Sequence, residues 1–325
     1  MRRSMRWIAA AVVCVPFAVG AQGSCEAANS DGCQKALDMY TFLMPQIGLG
    51  LAGGNPTLGS GVVLGKLGHF NLGVRATAFS KGGLPKFDNV NINENQRVSS
   101  TIPVKESWFG GGGADAAIGL FRGFQVGVTH VGALDALVSI MYLPDLGDNN
   151  NSGGNSGDVD ITVKSHTRFG FGGRVGLLDE SFAIPAVSFQ YLQRGVPKVT
   201  FSTTTEDNAS LGVEDLDVRV ATWRVVATKT FLAFALSAGV GQDNYKADAT
   251  ITAKASGVSV ADQSTLAQNI KRTNFFLDLT INLGPIKLAG EIGKAGTAKV
   301  TTFNTFDQEP GRSLSYYSAG LRLGF

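Results

Sequence analysis

Charge is scarce in this chain. Asp, Glu, Lys and Arg make up 17% of its 325 residues, where a soluble domain averages about 25%. Neither sign dominates, since 28 Lys and Arg stand against 26 Asp and Glu. Even that small surplus is local: Arg2, Arg3 and Arg6 precede the apolar run Trp7 to Val19 and the small residues Val19-Gly20-Ala21. A basic start, an apolar run and a small-x-small site describe a cleaved secretory signal peptide, expected over residues 1–21. Without its three arginines, 25 of the 28 bases remain against 26 acids. A nucleic-acid-binding footprint, which needs a basic patch, is excluded.

Histidine and cysteine are nearly absent, at three each. His69 falls in a short turn, His166 sits between Lys164 and Arg168, and His130 interrupts an apolar face, as a membrane-interface residue would. None has a recognisable nucleophile partner, which a catalytic triad requires. The chain is therefore expected not to be an enzyme, and to carry no cofactor and no metal. The loop Asp145 to Asp160 begins like a calcium loop at Asp148, but its twelfth position is Val159 where a bidentate Glu is needed. Cys14 leaves with the signal peptide. Cys25 and Cys33 are expected to close a small disulfide in an oxidising compartment, the alternatives being two free thiols or a metal pair.

After residue 21 no apolar run approaches the ~18 residues of a spanning helix, so a membrane can be crossed only by strands. What the chain does have is glycine, 42 residues, set inside long alternating segments. Phe275, Leu277, Leu279, Ile281 and Leu283 oppose Asp278, Thr280 and Asn282; Phe234, Leu236, Ala238 and Val240 oppose Ala235, Ser237, Gly239 and Gly241. Period 2 of this kind reads as strand. Short turns alternate with long polar loops, the pattern of an up-and-down transmembrane barrel with both termini at the short-turn side. The expected architecture is all-β: a transmembrane up-and-down antiparallel barrel of about 12 strands, 10 to 14 being compatible, with a short N-terminal helix. Strands are expected near 46–53, 58–67, 70–80, 107–121, 124–142, 159–178, 182–201, 215–228, 231–250, 264–283, 286–303 and 313–325. The helix runs from Cys33 to Leu43 and ends at Pro45. Residues 22–45 form a periplasmic segment that is either a plug or a tether, and 46–325 form the barrel. The inward glycines are expected to leave open space, and Trp108, Tyr142, Phe231, Phe275, Tyr316 and Tyr317 to mark the aromatic girdles.

The C-terminus Ser318-x-Gly320-x-x-Leu323-x-Phe325 resembles the terminal assembly signal of bacterial outer-membrane barrel proteins. The chain as a whole resembles uncharacterised outer-membrane barrels with an N-terminal helix, and more weakly the long-chain fatty-acid transporter family. This implies the outer membrane as location, its lipid and lipopolysaccharide as surroundings, and the barrel-assembly machinery as a partner; no nucleic acid is expected. The acidic loop Glu206 to Asp217 offers carboxylates to cations that bridge lipopolysaccharide. Replacing Phe325 by Asn is expected to reduce outer-membrane insertion severalfold, read by fractionation, and full insertion would remove the reading of this signal.

Alternation places Arg75, Asp115, Asp135, Lys164, Arg168, Arg174, Arg224, Asp278, Lys287, Glu291 and Arg322 in the lumen. Both signs are present. They either pair across the lumen, since an unpaired buried charge costs several kcal/mol, or set a field that selects solutes. The expected function is a narrow or gated channel or transporter for small or amphipathic solutes. The alternative is a non-transporting structural or surface-interaction barrel acting through its long loops.

Overall fold

The alternating segments close into one sheet. The computed structural model describes residues 31–52, 54–86, 90–93, 96–143, 160–204, 210–254 and 262–324. Ten antiparallel strands form the ring: β1 (Phe70–Pro85), β2 (Val104–Phe121), β3 (Ala133–Tyr142), β4 (Thr167–Leu178), β5 (Ala186–Gly195), β6 (Ser210–Phe231), β7 (Phe234–Lys254), β8 (Asp262–Leu283), β9 (Ile286–Ala295) and β10 (Leu314–Gly324). Each pairs with its sequence neighbours, and β1 pairs with β10 from Asn71↔Gly324 to Phe79↔Tyr316, which closes the barrel. Ten is the lower end of the expected range.

The missing pair is instructive. Of the expected first strand, residues 46–52 belong instead to the end of a helix, α1 (Asp31–Ala52), which continues through Pro45. Proline removes one helical hydrogen bond and usually ends a helix. Here the barrel wall encloses the helix on several sides, through β1, β2, β6, β7 and β8, and that packing overrides the local break. Residues 58–67 are not strand either; they run through the lumen. The expected strand 124–142 is also divided. Phe124–Val126 and Thr129–Val131 form a small hairpin of their own, with Gly127 at φ 60° and Gly132 at φ 77° providing the turns before β3 begins. Pro197, which cannot donate to a ladder, separates β5 from a short strand Val199–Thr204 that pairs with the upper part of β6 and with Asp160–Val163.

Polarity along the longest strands inverts. In the short-turn half of β7 the outward residues are Phe234, Leu236 and Val240, while Ser237, Gly239, Gly241 and Asp243 face in. In its long-loop half the same inward row becomes Tyr245, Ala247, Ala249 and Ile251, all buried, and the outward row becomes Lys246, Asp248 and Thr250. β6 repeats the switch, from inward Thr222 and Arg224 to inward Val218 and Val220. An apolar exterior over a polar interior is a membrane barrel; a polar exterior over an apolar interior is a water-soluble fold. The 22 residues of β6 rise roughly 50 Å at a ~45° tilt, about twice the apolar band of an outer membrane. The barrel therefore spans the bilayer with its short-turn half and stands out of it with the other, which we call the cap. Long loops mark the cap as the outer side.

The core sits in the cap. Tyr40, Phe42, Leu43, Met44 and Ile47 of α1 pack against Val213, Leu216, Val218, Val220, Tyr245 and Ile251 of the wall. The helix starts at the long-loop end, where a Cβ on Gly32 would touch Ala253 and Leu211, and descends until Gly50 meets Phe79. The segment read as periplasmic thus lies inside the barrel from Asp31 onward, with Asp31 at the end opposite the last strand's end.

Candidate functional site: the filled lumen

Two pieces of the N-terminal chain fill the barrel. In the cap, α1 is tied to the loops that cover it. The Asp31 carboxylate accepts hydrogen bonds from the backbone N–H of Asn93 at 3.0 Å and of Val98 at 3.1 Å, and pairs with Lys35. Asp38 accepts from Asn304 N and Nδ2, each at 2.7 Å, and from Phe303 N at 3.2 Å. Burial holds the Asp38 carboxyl above its ordinary range, against the lowering effect of those hydrogen bonds. The Tyr40 phenol, which donates to Ala247 O at 2.9 Å, is likewise raised, by burial first and Asp248 second. Phe42 stacks on Phe306, with ring centroids 4.5 Å apart, under a parallel pairing of Thr101–Ile102 with Thr305–Phe306.

At membrane level the filling is a seam of irregular chain from Gly54 to Gly65, held by wall charges. Glu291 accepts from Asn55 N at 2.8 Å; Asp278 accepts from Asn55 Nδ2 at 2.9 Å and Gly59 N at 3.2 Å. Asp135 accepts from Leu64 N at 3.0 Å and Gly65 N at 2.9 Å. Arg75 donates to Asn55 O, Arg174 to Thr57 Oγ1 at 3.0 Å, and Arg322 to Leu58 O at 2.9 Å. Irregular backbone inside a barrel must have its N–H and C=O groups satisfied somewhere, and here the lumen charges do so.

Nine of the eleven expected lumen charges lie on the inner face. Arg174 pairs with Asp135 at 2.6 Å and Arg75 with Asp115 at 2.9 Å. Arg224, Asp278, Glu291 and Arg322 are buried, and Lys287 is half-buried. Two do not belong. Lys164 is exposed in the cap, paired with Asp215, and Arg168 is half-exposed beside Asp217; both stand above the membrane, where inward direction no longer means enclosure. These pairs also occupy two carboxylates of the acidic loop. The alternation reached Arg194, Asp243 and Arg272 without naming them, although they share a row with Gln190, Gly241 and Asp278. Asp243 is the hub: Arg224 donates to it at 2.5 Å, Tyr245 Oη at 2.9 Å, and Asn274 Nδ2 also. Arg194 lies 3.5 Å from Asp115.

The inward glycines are not empty space. A Cβ on Gly239 would fall 2.2 Å from the Phe276 ring, and one on Gly293 2.2 Å from Tyr316. Gly241 lies so close under Arg224 and Trp223 O that a Cβ would meet the carbonyl at 2.0 Å. Each is the floor under a large inward side chain. Tyr316, expected in a girdle, is wholly buried over Gly293, whereas Trp108, Tyr142, Phe231, Phe275 and Tyr317 are exposed. In the terminal motif, Ser318 hydrogen-bonds Thr77 Oγ1 at 2.9 Å inside the lumen, Gly320 leaves room for Leu58 of the seam, and Leu323 faces out. Phe325, Cys25 and the Asp148 to Val159 loop lie outside the described residues. Cys33 is disulfide-bonded. Among the described residues no group of three His, Cys, Asp or Glu is placed to hold a metal.

No protein-family model and no curated protein matches the chain. Solved structures of like architecture include the translocator domain of autotransporter NalP from Neisseria meningitidis, at 9% identity, covering 92% of this chain and 98% of that one with a TM-score of 0.40. Others are the outer membrane protease OmpT from Escherichia coli, at 10%, 82%, 100% and 0.36, and the Pseudomonas putida toluene transporter TodX, at 14%, 79%, 88% and 0.33. A translocator, a protease and a transporter stand side by side among them, and these likenesses carry no activity to this chain.

Proposed function

We propose that the protein is a gated outer-membrane transporter whose resting lumen is shut by its own residues 31–65. The observation that supports this most directly is the way the seam is held. Its backbone is bound point by point to Asp135, Arg174, Asp278, Glu291 and Arg322, beside the apolar contacts that Leu58 and Leu64 make with the wall. Several wall groups there, including Ser139 Oγ, Ser188 Oγ and Gln190 Nε2, have no protein hydrogen-bond partner. Such a polar lining suits a lumen that admits water when the seam moves. The cap favours a second reading. Its apolar core binds α1 as a soluble domain binds a helix, which suits a barrel that never opens and presents its loops to a surface partner.

Single-channel recording separates the two. The intact chain is expected to give infrequent openings from a closed baseline, and the Asp278→Asn/Glu291→Gln variant severalfold more of them, because the amides replace the carboxylate pair's hold on the seam by weaker hydrogen bonds. A silent baseline in both, together with no solute uptake into liposomes, would leave the surface-interaction barrel as the function.

A further inference from the structure

The short-turn end holds a second feature that the lumen network does not use. Where the seam leaves the barrel, a cavity of about 300 Å³ opens between the seam and the wall, lined by Lys66, His69, Arg122, His130 and Asp179 among others. Its size is at the lower end of small-molecule sites, roughly 300 to 1,000 Å³.

Backbone packing assembles it. Gly119 has no side chain, so the main chain of Lys66 lies directly on it, with a Cβ at 119 falling 2.5 Å from Lys66 O; Gly65 likewise lies against the Arg122 backbone. His69 N–H bonds back to Lys66 O at 3.1 Å, and Gly119 N–H to His69 O at 2.9 Å. Four basic or imidazole side chains from three separate parts of the chain are thereby gathered around one space.

Charge balance there is lopsided. Asp179 is the cavity's one carboxylate, and it is engaged: Oδ1 accepts from Glu180 N at 2.9 Å, and Oδ2 faces His130 Nδ1 at 3.6 Å. Lys66, His69 and Arg122 have no carboxylate partner among the described residues. A Lys, an Arg and the His69 imidazole around one space whose single lining carboxylate is turned to His130 fit an oxyanion, and the Arg fork matches phosphate geometry in particular. We infer that this cavity is an anion site that takes a phosphate group, either of a small phosphorylated solute or of an inner-leaflet lipid headgroup.

Two arms test it on the full chain. Titration calorimetry with inorganic phosphate in nonionic detergent at low salt is expected to show saturable binding, weakened about tenfold or more in Lys66→Gln/Arg122→Gln. In nanodiscs, native mass spectrometry counts phosphatidylglycerol retained over phosphatidylcholine. Phosphate binding that the variant loses assigns a free solute; no phosphate binding but variant-sensitive phosphatidylglycerol retention assigns a headgroup. Binding absent in both arms, or unchanged by the substitutions, overturns the site. Should the double variant fail to fold, judged by heat-modifiable gel mobility, Lys66→Gln alone reads the loss and Arg122→Lys should retain most of the binding. Neither readout needs the lumen to conduct, so a barrel that never opens leaves this result standing.

Discussion

Deleting residues 31–65 is expected to convert a closed barrel into a steadily conducting one. The ring is closed by ten strands alone, and no residue of α1 or the seam contributes to its ladder. Removing them leaves the hydrogen-bonded wall intact and empties both levels. An α-helix with its side chains is about 10–12 Å across, so the cap loses a body of that width, and the membrane level loses the chain that Asp135, Asp278 and Arg322 now grip. Mean conductance should rise by about tenfold or more over the intact chain, a change on the scale of an emptied helix-wide bore. The cap should also become protease-sensitive, because Val218, Val220 and Tyr245 lose the helix they cover. A deleted barrel that inserts yet stays silent would mean that wall side chains alone occlude the lumen, and the seam would lose its role as the gate.

The second large effect is on stability. Arg224 and Asp243 are both wholly buried, and Asp243 also accepts from Tyr245 and Asn274. Asp243→Ala leaves a guanidinium with no counter-charge and two donors with no acceptor. Removing one partner of a buried pair costs about 3–5 kcal/mol, so the denaturant midpoint in detergent or lipid should fall markedly, with Trp223, the residue before Arg224, as the fluorescent reporter. Replacing both partners, as in Arg224→Met/Asp243→Leu, should recover most of the loss, since a packed apolar pair is often neutral or better. An unchanged midpoint in Asp243→Ala would show that the pair is solvated rather than buried.

The strands of the membrane half were legible because one physical rule governs both faces. Lipid on one side and a crowded polar lumen on the other force strict alternation, and Phe275 to Leu283 obeys it residue by residue. The same rule failed at Ile47-Gly48-Leu49-Gly50-Leu51, which alternates as well as any strand. There the glycines serve a helix: a Cβ on Gly48 would fall 2.4 Å from the Tyr245 ring, so their smallness is set by a partner some two hundred positions away. The lumen charges were legible as a row and illegible as a network. Alternation says that Asp278 faces in; only the pairing register, Asp278↔Glu291, puts two carboxylates side by side with Asn55 between them. The change of polarity at Asp243 to Tyr245 left the period intact while exchanging the solvents on its two sides, so a reading of period alone passed over the boundary of the membrane. Arg168 and Lys164 were misplaced for that reason.

The pairing of β1 with β10 carries a consequence for biogenesis. The first and last strands are the edges that meet, so the ring cannot shut until the C-terminal residues have been delivered. Residues 31–65 lie in the space that this closure encloses, with Asp31 at the long-loop end and the seam running on toward β1. A sheet that curls around α1 would find in it a mandrel for β1, β2, β6, β7 and β8, the strands it contacts. Closure joins residues roughly two hundred and fifty positions apart, the long-range order that makes folding slow, and a helix on the axis would shorten the search by giving those five strands a common surface to land on.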